Sequence, residues 1–182
     1  MILGIDVSTS ITGFAIIDDN NKTILLNYCD LRKHKSFLEK CLHIKEFLLD
    51  LAEEHCDLWV QDGIKHVYIE QPFSFFNSGG SSAKTMATLQ RFNGVVSWMV
   101  FEIFELKPEY IGATQARKKA GIKVPKGGKA KIYTLRELER EGALKVELTR
   151  YGNPKAHFYD MADALVIARA GLITEKEKET SS

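Results

Sequence analysis

The first thirty residues contain three short apolar runs joined by tight polar links, and this pattern constrains the fold more than any other feature. The runs cover residues 2–8, 12–18 and 23–29, and the links are rich in Ser, Thr, Asp and Asn. Apolar runs separated by so few polar residues are typical of β-hairpins. The segment therefore predicts an antiparallel meander of three strands.

The rest of the chain alternates helical and strand patterns. Apolar residues recur at helical spacing over residues 35–62 and 83–105, and residues 66–70 and 108–113 have the character of strands. A short helix at 114–121, a helix at 129–142 and a last helix beginning near Asn153 complete the series. This order predicts an α/β fold with one mixed five-stranded sheet flanked by helices. We expect one domain over residues 1–173 and a disordered polar tail over residues 174–182.

Bulk properties exclude several classes of protein. The chain has 182 residues and a formal net charge of +1, so overall charge indicates no partner. Its three cysteines, Cys29, Cys41 and Cys56, are too few for a disulfide framework. Because there is no basic, apolar leader and no apolar run long enough to span a bilayer, we expect a cytoplasmic protein.

Two aspartates interrupt the apolar last helix. From Phe158 to Ala168, Asp160 and Asp163 are the only residues that are neither apolar nor aromatic. Helix capping would explain them, but Asn153 as the cap and Pro154 at the first helical position suit the helix start better. Charged groups in an apolar setting need compensation. The spacing therefore favours a shared divalent cation, or a phosphate held through one.

Two further acids end apolar strands, where a charge is otherwise unfavourable. Asp6 follows "ILGI" and Glu70 follows "VYI". If the first and fourth strands are neighbours, these acids meet, and a helix packed on the sheet brings Asp160 and Asp163 to them. Oxygen ligands suit Mg²⁺ or Mn²⁺. A pair of such ions activates water and stabilises the leaving oxygen in phosphoryl transfer.

Three motifs in order, "LGIDVSTSITGFAI", "VYIEQPF" and "DMADALVIA", resemble the RuvC family of Holliday junction resolvases. The likeness runs from about residue 1 to residue 171, and phage-encoded RuvC-like endonucleases are the most similar members. The resemblance implies an RNase H-like fold and an endodeoxyribonuclease that resolves four-way junctions by paired nicks, with two Mg²⁺ ions per site. It assigns catalysis and metal binding to Asp6, Glu70, Asp160 and Asp163.

Residues 114–131 form a basic segment without any acid. It predicts a polyanion-binding surface, because a solvated helix and loop, the alternative, usually carry both charges. The resemblance places DNA contacts in this region, with Lys118 and Lys129 nearest the scissile phosphate. It also places an aromatic residue that enters the junction at Phe73. The predicted DNA-binding residues are Phe73, Arg117, Lys118, Lys119, Lys123, Lys126, Lys129 and Lys131.

The resemblance implies a dimer interface, and the position of one histidine adds a further candidate for catalysis. The helix at 83–105 packs on the sheet, and in the resembling family this region also forms a homodimer. A twofold dimer matches the symmetry of a four-way junction. His157, one turn before Asp160, is a secondary candidate for proton transfer, although a histidine at a helix start is more often structural.

Other functions are compatible with parts of the sequence. A broader nuclease that debranches forks, flaps and three-way junctions is the main alternative. The first motif also resembles the phosphate loop of sugar kinases and actin-like ATPases, but these need a second such domain and lack an acid pair in the last helix. A non-catalytic DNA-binding module leaves the four carboxylates unexplained.

Overall fold

Five strands form one mixed sheet in the computed structural model, which describes residues 1–54, 63–72 and 83–181. The strands are β1 (Ile2–Asp6), β2 (Ile11–Ile17), β3 (Thr23–Asp30), β4 (His66–Glu70) and β5 (Pro108–Ile111). Their order across the sheet is β3-β2-β1-β4-β5. The first three strands pair antiparallel, whereas β4 pairs parallel to β1 and β5 pairs parallel to β4. The predicted fold class is confirmed.

Helices cover both faces of the sheet. They are α1 (Phe37–Glu54), α2 (Ala83–Phe104), α3 (Ala113–Lys119), α4 (Ala130–Arg140) and α5 (His157–Thr180). One core lies between the sheet and α1 and α2, and the other lies between the sheet and α5, with α3 and α4 packed outside α5. None of the described helices combines the length and the apolar character that a bilayer crossing requires.

Strand periodicity divides the side chains between the two cores. In β1, Leu3 and Ile5 enter the core beneath α1 and α2. Ile2 belongs to the α5 core, and a Cβ atom added to Gly4 would lie 2.4 Å from the Ala164 carbonyl oxygen of α5. Since successive residues of a strand point to opposite faces, Asp6 projects to the α5 face.

The last helix differs from its prediction at both ends. Pro154 forms an isolated antiparallel bridge with Leu148, and the helix begins at His157 with Ala156 as its N-cap. The predicted start at Asn153 and Pro154 is therefore wrong. The bridge uses backbone groups of this segment, since the Lys155 N–H donates to the Glu147 carbonyl at 3.0 Å.

The predicted disordered tail is also wrong for residues 174–180, which continue α5. Lys178 Nζ donates to Glu109 at 2.7 Å and to Glu175 at 2.8 Å, and Glu175 accepts a hydrogen bond from the Tyr68 hydroxyl. These contacts tie the end of the helix to β4 and β5. The predicted helix at 35–62 is observed as α1, while its last residues, 55–62, lie outside the described residues.

Candidate active site

Two neighbouring parallel strands place the first two acids side by side. Ile5 of β1 pairs with Ile69 of β4, so Asp6 and Glu70 are the next residues on the two strands. Asp6 is 7% exposed. The Asn93 side chain of α2 donates to the Glu70 backbone carbonyl at 3.0 Å and fixes the end of β4. The adjacency predicted for these two strands is therefore present.

The start of α5 lies directly on the sheet because β2 has no side chain at the crossing point. Gly13 pairs with Asp6, and a Cβ atom added to Gly13 would lie 2.2 Å from the Asp160 carbonyl oxygen. Because α5 begins at His157, Asp160 lies in its first turn, closer to the helix start than predicted. The capping alternative is not observed, since Ala156 is the N-cap and no side chain caps the helix.

A lysine ammonium lies among three of the four carboxylates. Lys131 Nζ of α4 donates to Asp160 Oδ1 at 3.0 Å and lies 3.4 Å from Asp163 Oδ2 and 3.8 Å from Asp6 Oδ2. The fourth acid, Glu70, completes the group that we call the acid cluster: Asp6, Glu70, Asp160 and Asp163. One ammonium cannot balance four ionised carboxylates, so ionisation of the whole cluster would leave an excess of negative charge.

Burial and mutual repulsion raise the pKa of three carboxylates of the acid cluster, those of Asp6, Glu70 and Asp163. Burial, and then the charge of Glu70, raise the pKa of Asp6 well above its ordinary value. Burial and the charge of Asp163 raise the pKa of Glu70 to about 7. Burial also raises the pKa of Asp163, although Lys131 opposes the shift. Burial lowers the pKa of Lys131, but the three aspartates outweigh this and raise it above its ordinary range.

The acid cluster opens into a cavity of about 480 Å³ that its chemistry suits to a divalent cation. Asp6, Glu70, Asp163, Arg117 and Lys131 line the cavity. Asp6 Oδ2 is buried and accepts no hydrogen bond from the described residues. A buried carboxylate oxygen without a donor is costly, and a metal ion would satisfy it. The donor set is entirely oxygen, as Mg²⁺ and Mn²⁺ prefer.

The residues of the predicted DNA-binding segment take different positions. Lys131 belongs with the acids, a position that its sequence neighbourhood did not indicate. Lys119 forms an ion pair with Glu177 of α5. Arg117 borders both the acid cavity and a second cavity of about 470 Å³, which Lys118 and Lys123 also line. The remaining two residues, Lys126 and Lys129, are exposed in the link between α3 and α4.

Two further candidates have different outcomes. His157 stacks on Tyr28, with ring centroids 4.0 Å apart and planes inclined by 2°. Burial and the nearby charge of Lys155 lower its pKa. This stacking gives His157 a packing role outside the acid cluster. Phe73 lies outside the described residues.

A second group of potential metal ligands lies at the opposite end of the sheet. His66, Glu109 and Glu175 each offer a ligand atom, and these atoms lie within 4.8 Å of one another. Lys178 Nζ occupies the space between the two carboxylates, as described above. We call these four residues the distal cluster. Its ammonium makes it an ion-pair network that anchors α5.

No protein-family model matches the sequence, and no curated protein matches it either. Among solved structures, T. thermophilus RuvC in complex with Holliday junction substrate is similar, with a TM-score of 0.64 and 14% identity over 97% of this chain and 94% of that one. A Thermus thermophilus RuvC structure has a TM-score of 0.62 and 17% identity over 97% and 96% of the two chains. The protein therefore has a RuvC-like, RNase H-like fold.

Proposed function

We propose that this protein is a metal-dependent endodeoxyribonuclease that resolves four-way DNA junctions by paired nicks. The acid cluster carries the proposal. Three of its four carboxylates, from β1, β4 and α5, line one open cavity, and burial raises the pKa of these three. The fourth, Asp160, contacts the same lysine ammonium as Asp6 and Asp163. Carboxylates this close repel one another when ionised, and a divalent cation would relieve that repulsion. The similar fold of a RuvC bound to a Holliday junction supports DNA as the substrate.

The chemistry is the hydrolysis of a phosphodiester. Asp6, Glu70, Asp160 and Asp163 would hold two Mg²⁺ ions, with Mn²⁺ as a substitute. Bound ions supply an activated water and stabilise the leaving oxygen. The water oxygen joins phosphorus and the bond from phosphorus to the 3′ oxygen breaks. The products are a 5′-phosphate and a 3′-hydroxyl.

The protein's own cations have a separate task. Lys131 balances part of the carboxylate charge while no metal is bound, and an incoming divalent ion would take over that role. The Lys131 side chain is 56% exposed, and its ammonium would then be available to a DNA phosphate. Arg117 borders the same cavity and contributes a second positive charge at the phosphate.

The surface from Arg117 to Lys129 would carry the DNA towards the acid cluster. Arg117 connects the acid cavity with the basic cavity lined by Lys118 and Lys123. Lys126 and Lys129 extend the positive surface. Lys119 would contribute less to DNA binding, because its charge is paired with Glu177. We keep Phe73 as the residue that stacks on an unpaired base, since it follows Glu70 closely in sequence.

A homodimer would place two acid clusters on one junction. Exposed apolar side chains follow a single face of α1 at positions 38, 42 and 49. Trp98 and Phe101 of α2 are 55% and 53% exposed. Lys45 joins the two helices, with Nζ 6.0 Å from the Trp98 ring centroid and 3.3 Å from Glu102. Changing Trp98 and Phe101 to Ser should shift sedimentation from dimer to monomer.

A cleavage assay on synthetic four-way, three-way and flap DNA, with and without Mg²⁺, tests the proposal. Mapped cuts should be paired and symmetric on the four-way junction and should require the metal. Equal cutting of flaps and forks would instead support the broader debranching nuclease. Binding without cutting would identify a DNA-binding module, and robust cutting in excess chelator would refute metal-dependent catalysis.

A further inference from the structure

A groove separates the segment before α5 from the end of β3. Thr149 and Asn153 hold this segment in a hairpin, since the Thr149 N–H donates to the Asn153 carbonyl at 2.7 Å. The hairpin and the end of β3 border an open cavity of about 760 Å³. Its lining includes Tyr28, Arg32, Thr149, Lys155, His157 and Tyr159. We call this cavity the hairpin groove. Its volume is within the range of about 300–1,000 Å³ that holds small ligands, which suits a nucleotide unit.

Aromatic rings form one part of the hairpin groove. The stacked rings of Tyr28 and His157 line it together with Tyr159. Because His157 is stacked on Tyr28, neither ring is free to rotate without losing that contact. A fixed aromatic surface stacks on a nucleobase, and such stacking contributes about 1–3 kcal/mol per base.

Cations form the other part of the hairpin groove, and their partners hold them in place. Arg32 binds Asp30 through Nε at 2.9 Å and through one terminal nitrogen at 2.5 Å, which uses two of its five N–H donors. Lys155 Nζ lies 2.5 Å from Glu147, and an ammonium has three donors. Both side chains are exposed and retain donors for an anion such as a backbone phosphate.

The hairpin groove lies near the acid cluster. His157 lies one turn before Asp160 on α5. The hydrogen bond to Asp30 is the main cause that raises the pKa of Arg32, and Asp160 makes a smaller contribution. Arg32 is thus within electrostatic reach of the catalytic acids. The groove is lined by Tyr28 of β3, whereas the basic segment comprises α3, the link that follows it and the start of α4.

We propose that the hairpin groove binds an unpaired segment of the DNA strand that flanks the cut, with one base stacked on Tyr28 and phosphates bound by Arg32 and Lys155. The proposal rests on the proposed function, because that function supplies the strand. An unpaired strand fits better than a duplex, since a base inside a duplex does not expose its face to an aromatic ring. The groove would hold the strand on the side of the site that the basic segment does not reach.

The test measures binding, with cleavage prevented by chelator in the full-length protein. Single-stranded DNA and a four-way junction carry 2-aminopurine at successive positions. Tyr28 should quench the fluorescence at one position, the variant Tyr28→Phe should keep that quenching, and Tyr28→Leu should lose it. The salt slope is the slope of the logarithm of the binding constant against the logarithm of the salt concentration. For single strands, the double variant Arg32→Ala with Lys155→Ala should reduce its magnitude by about 1.4, at about 0.7 per lost phosphate contact.

A matched control removes the same charge elsewhere. Lys65→Ala with Lys176→Ala changes two exposed lysines at the far end of the sheet and should leave the salt slope unchanged. Thermal melting shows that each variant is folded. Equal slopes for the two double variants, or quenching that is independent of Tyr28 at every position, would overturn the proposal. So would a free mononucleotide that binds as tightly as the strand. This test measures binding and not cleavage. A protein that fails to cut junctions could therefore still pass it, and a protein that cuts them could still fail it.

Discussion

The acid cluster and the distal cluster both surround a lysine ammonium with carboxylates, yet the pKa of a glutamate is raised in the first and lowered in the second. In the acid cluster, burial raises the pKa of Glu70 to about 7. In the distal cluster, burial also raises the pKa of Glu175, but hydrogen bonds from Lys178 and Tyr68 outweigh it and lower the pKa overall. Burial and the ratio of acids to cations distinguish the acid cluster, whose carboxylates outnumber its ammonium, from an ion-pair network that is complete.

The largest expected effect is on catalysis. Asp6→Asn, Glu70→Gln, Asp160→Asn and Asp163→Asn should each reduce junction cleavage by more than about a hundredfold, since even outer partners of metal ligands are worth about 10–100-fold. Junction binding, measured by gel shift, should persist because these groups hold metal and repel phosphate. Glu109→Gln in the distal cluster is the control and should cut normally. Near wild-type cutting by any acid-cluster variant would remove that residue from the catalytic set.

The second expected effect is on metal-dependent stability. A free ion at about a hundred times its Kd adds about 2.7 kcal/mol to the folded state, or roughly 5–10 °C in Tm for a chain of this size. Asp160→Asn with Asp163→Asn should raise the metal-free Tm and abolish most of the response to Mn²⁺. Glu109→Gln with Glu175→Gln should leave the response intact. The reverse pattern would assign the cation to the distal cluster.

The third expected effect is on the pH dependence of stability in chelator. The folded pKa of Glu70, about 7, exceeds its ordinary value of 4.5. The folded state therefore binds more protons than the unfolded state between these values, and this group's stabilisation is lost as the pH rises through 7. The Tm of the wild type relative to Glu70→Gln should fall by a few degrees from pH 5 to pH 7.5. A difference that is constant with pH would contradict the raised pKa.

The smallest expected effect is from the distal lysine. Lys178→Met should change the free energy of unfolding by less than about 1 kcal/mol, because exposed ion pairs contribute little. Lys131→Met should destabilise the metal-free protein more, since the buried acids lose their only described ammonium partner. Urea denaturation in chelator compares the two variants. Equal losses of unfolding free energy in the two variants would show that burial does not make the Lys131 contacts stronger than those of Lys178.

Local patterns were enough to predict most elements. The strand at residues 66–70 is observed with the same bounds as β4, and the meander is present. Strand periodicity explains why Asp6 and Glu70 share a face. The start of α5 was mispredicted because a Pro after an Asn suits a helix start as well as the bridge to Leu148 that it actually forms. The tail was mispredicted because its stabilising partners, Tyr68 and Glu109, are distant in sequence.

The sequence by itself determined the meander, the helix and strand order, and the four acids as a candidate set, because each depends on periodicity or on a charge in an apolar run. Only the tertiary structure decided that Lys131 lies among those acids while Lys119 pairs with α5. Both lysines belong to the same basic segment and look alike in sequence. Their positions depend on how α3 and α4 pack outside α5, and that packing is set by contacts between residues distant in the chain, such as Lys131 with Asp160.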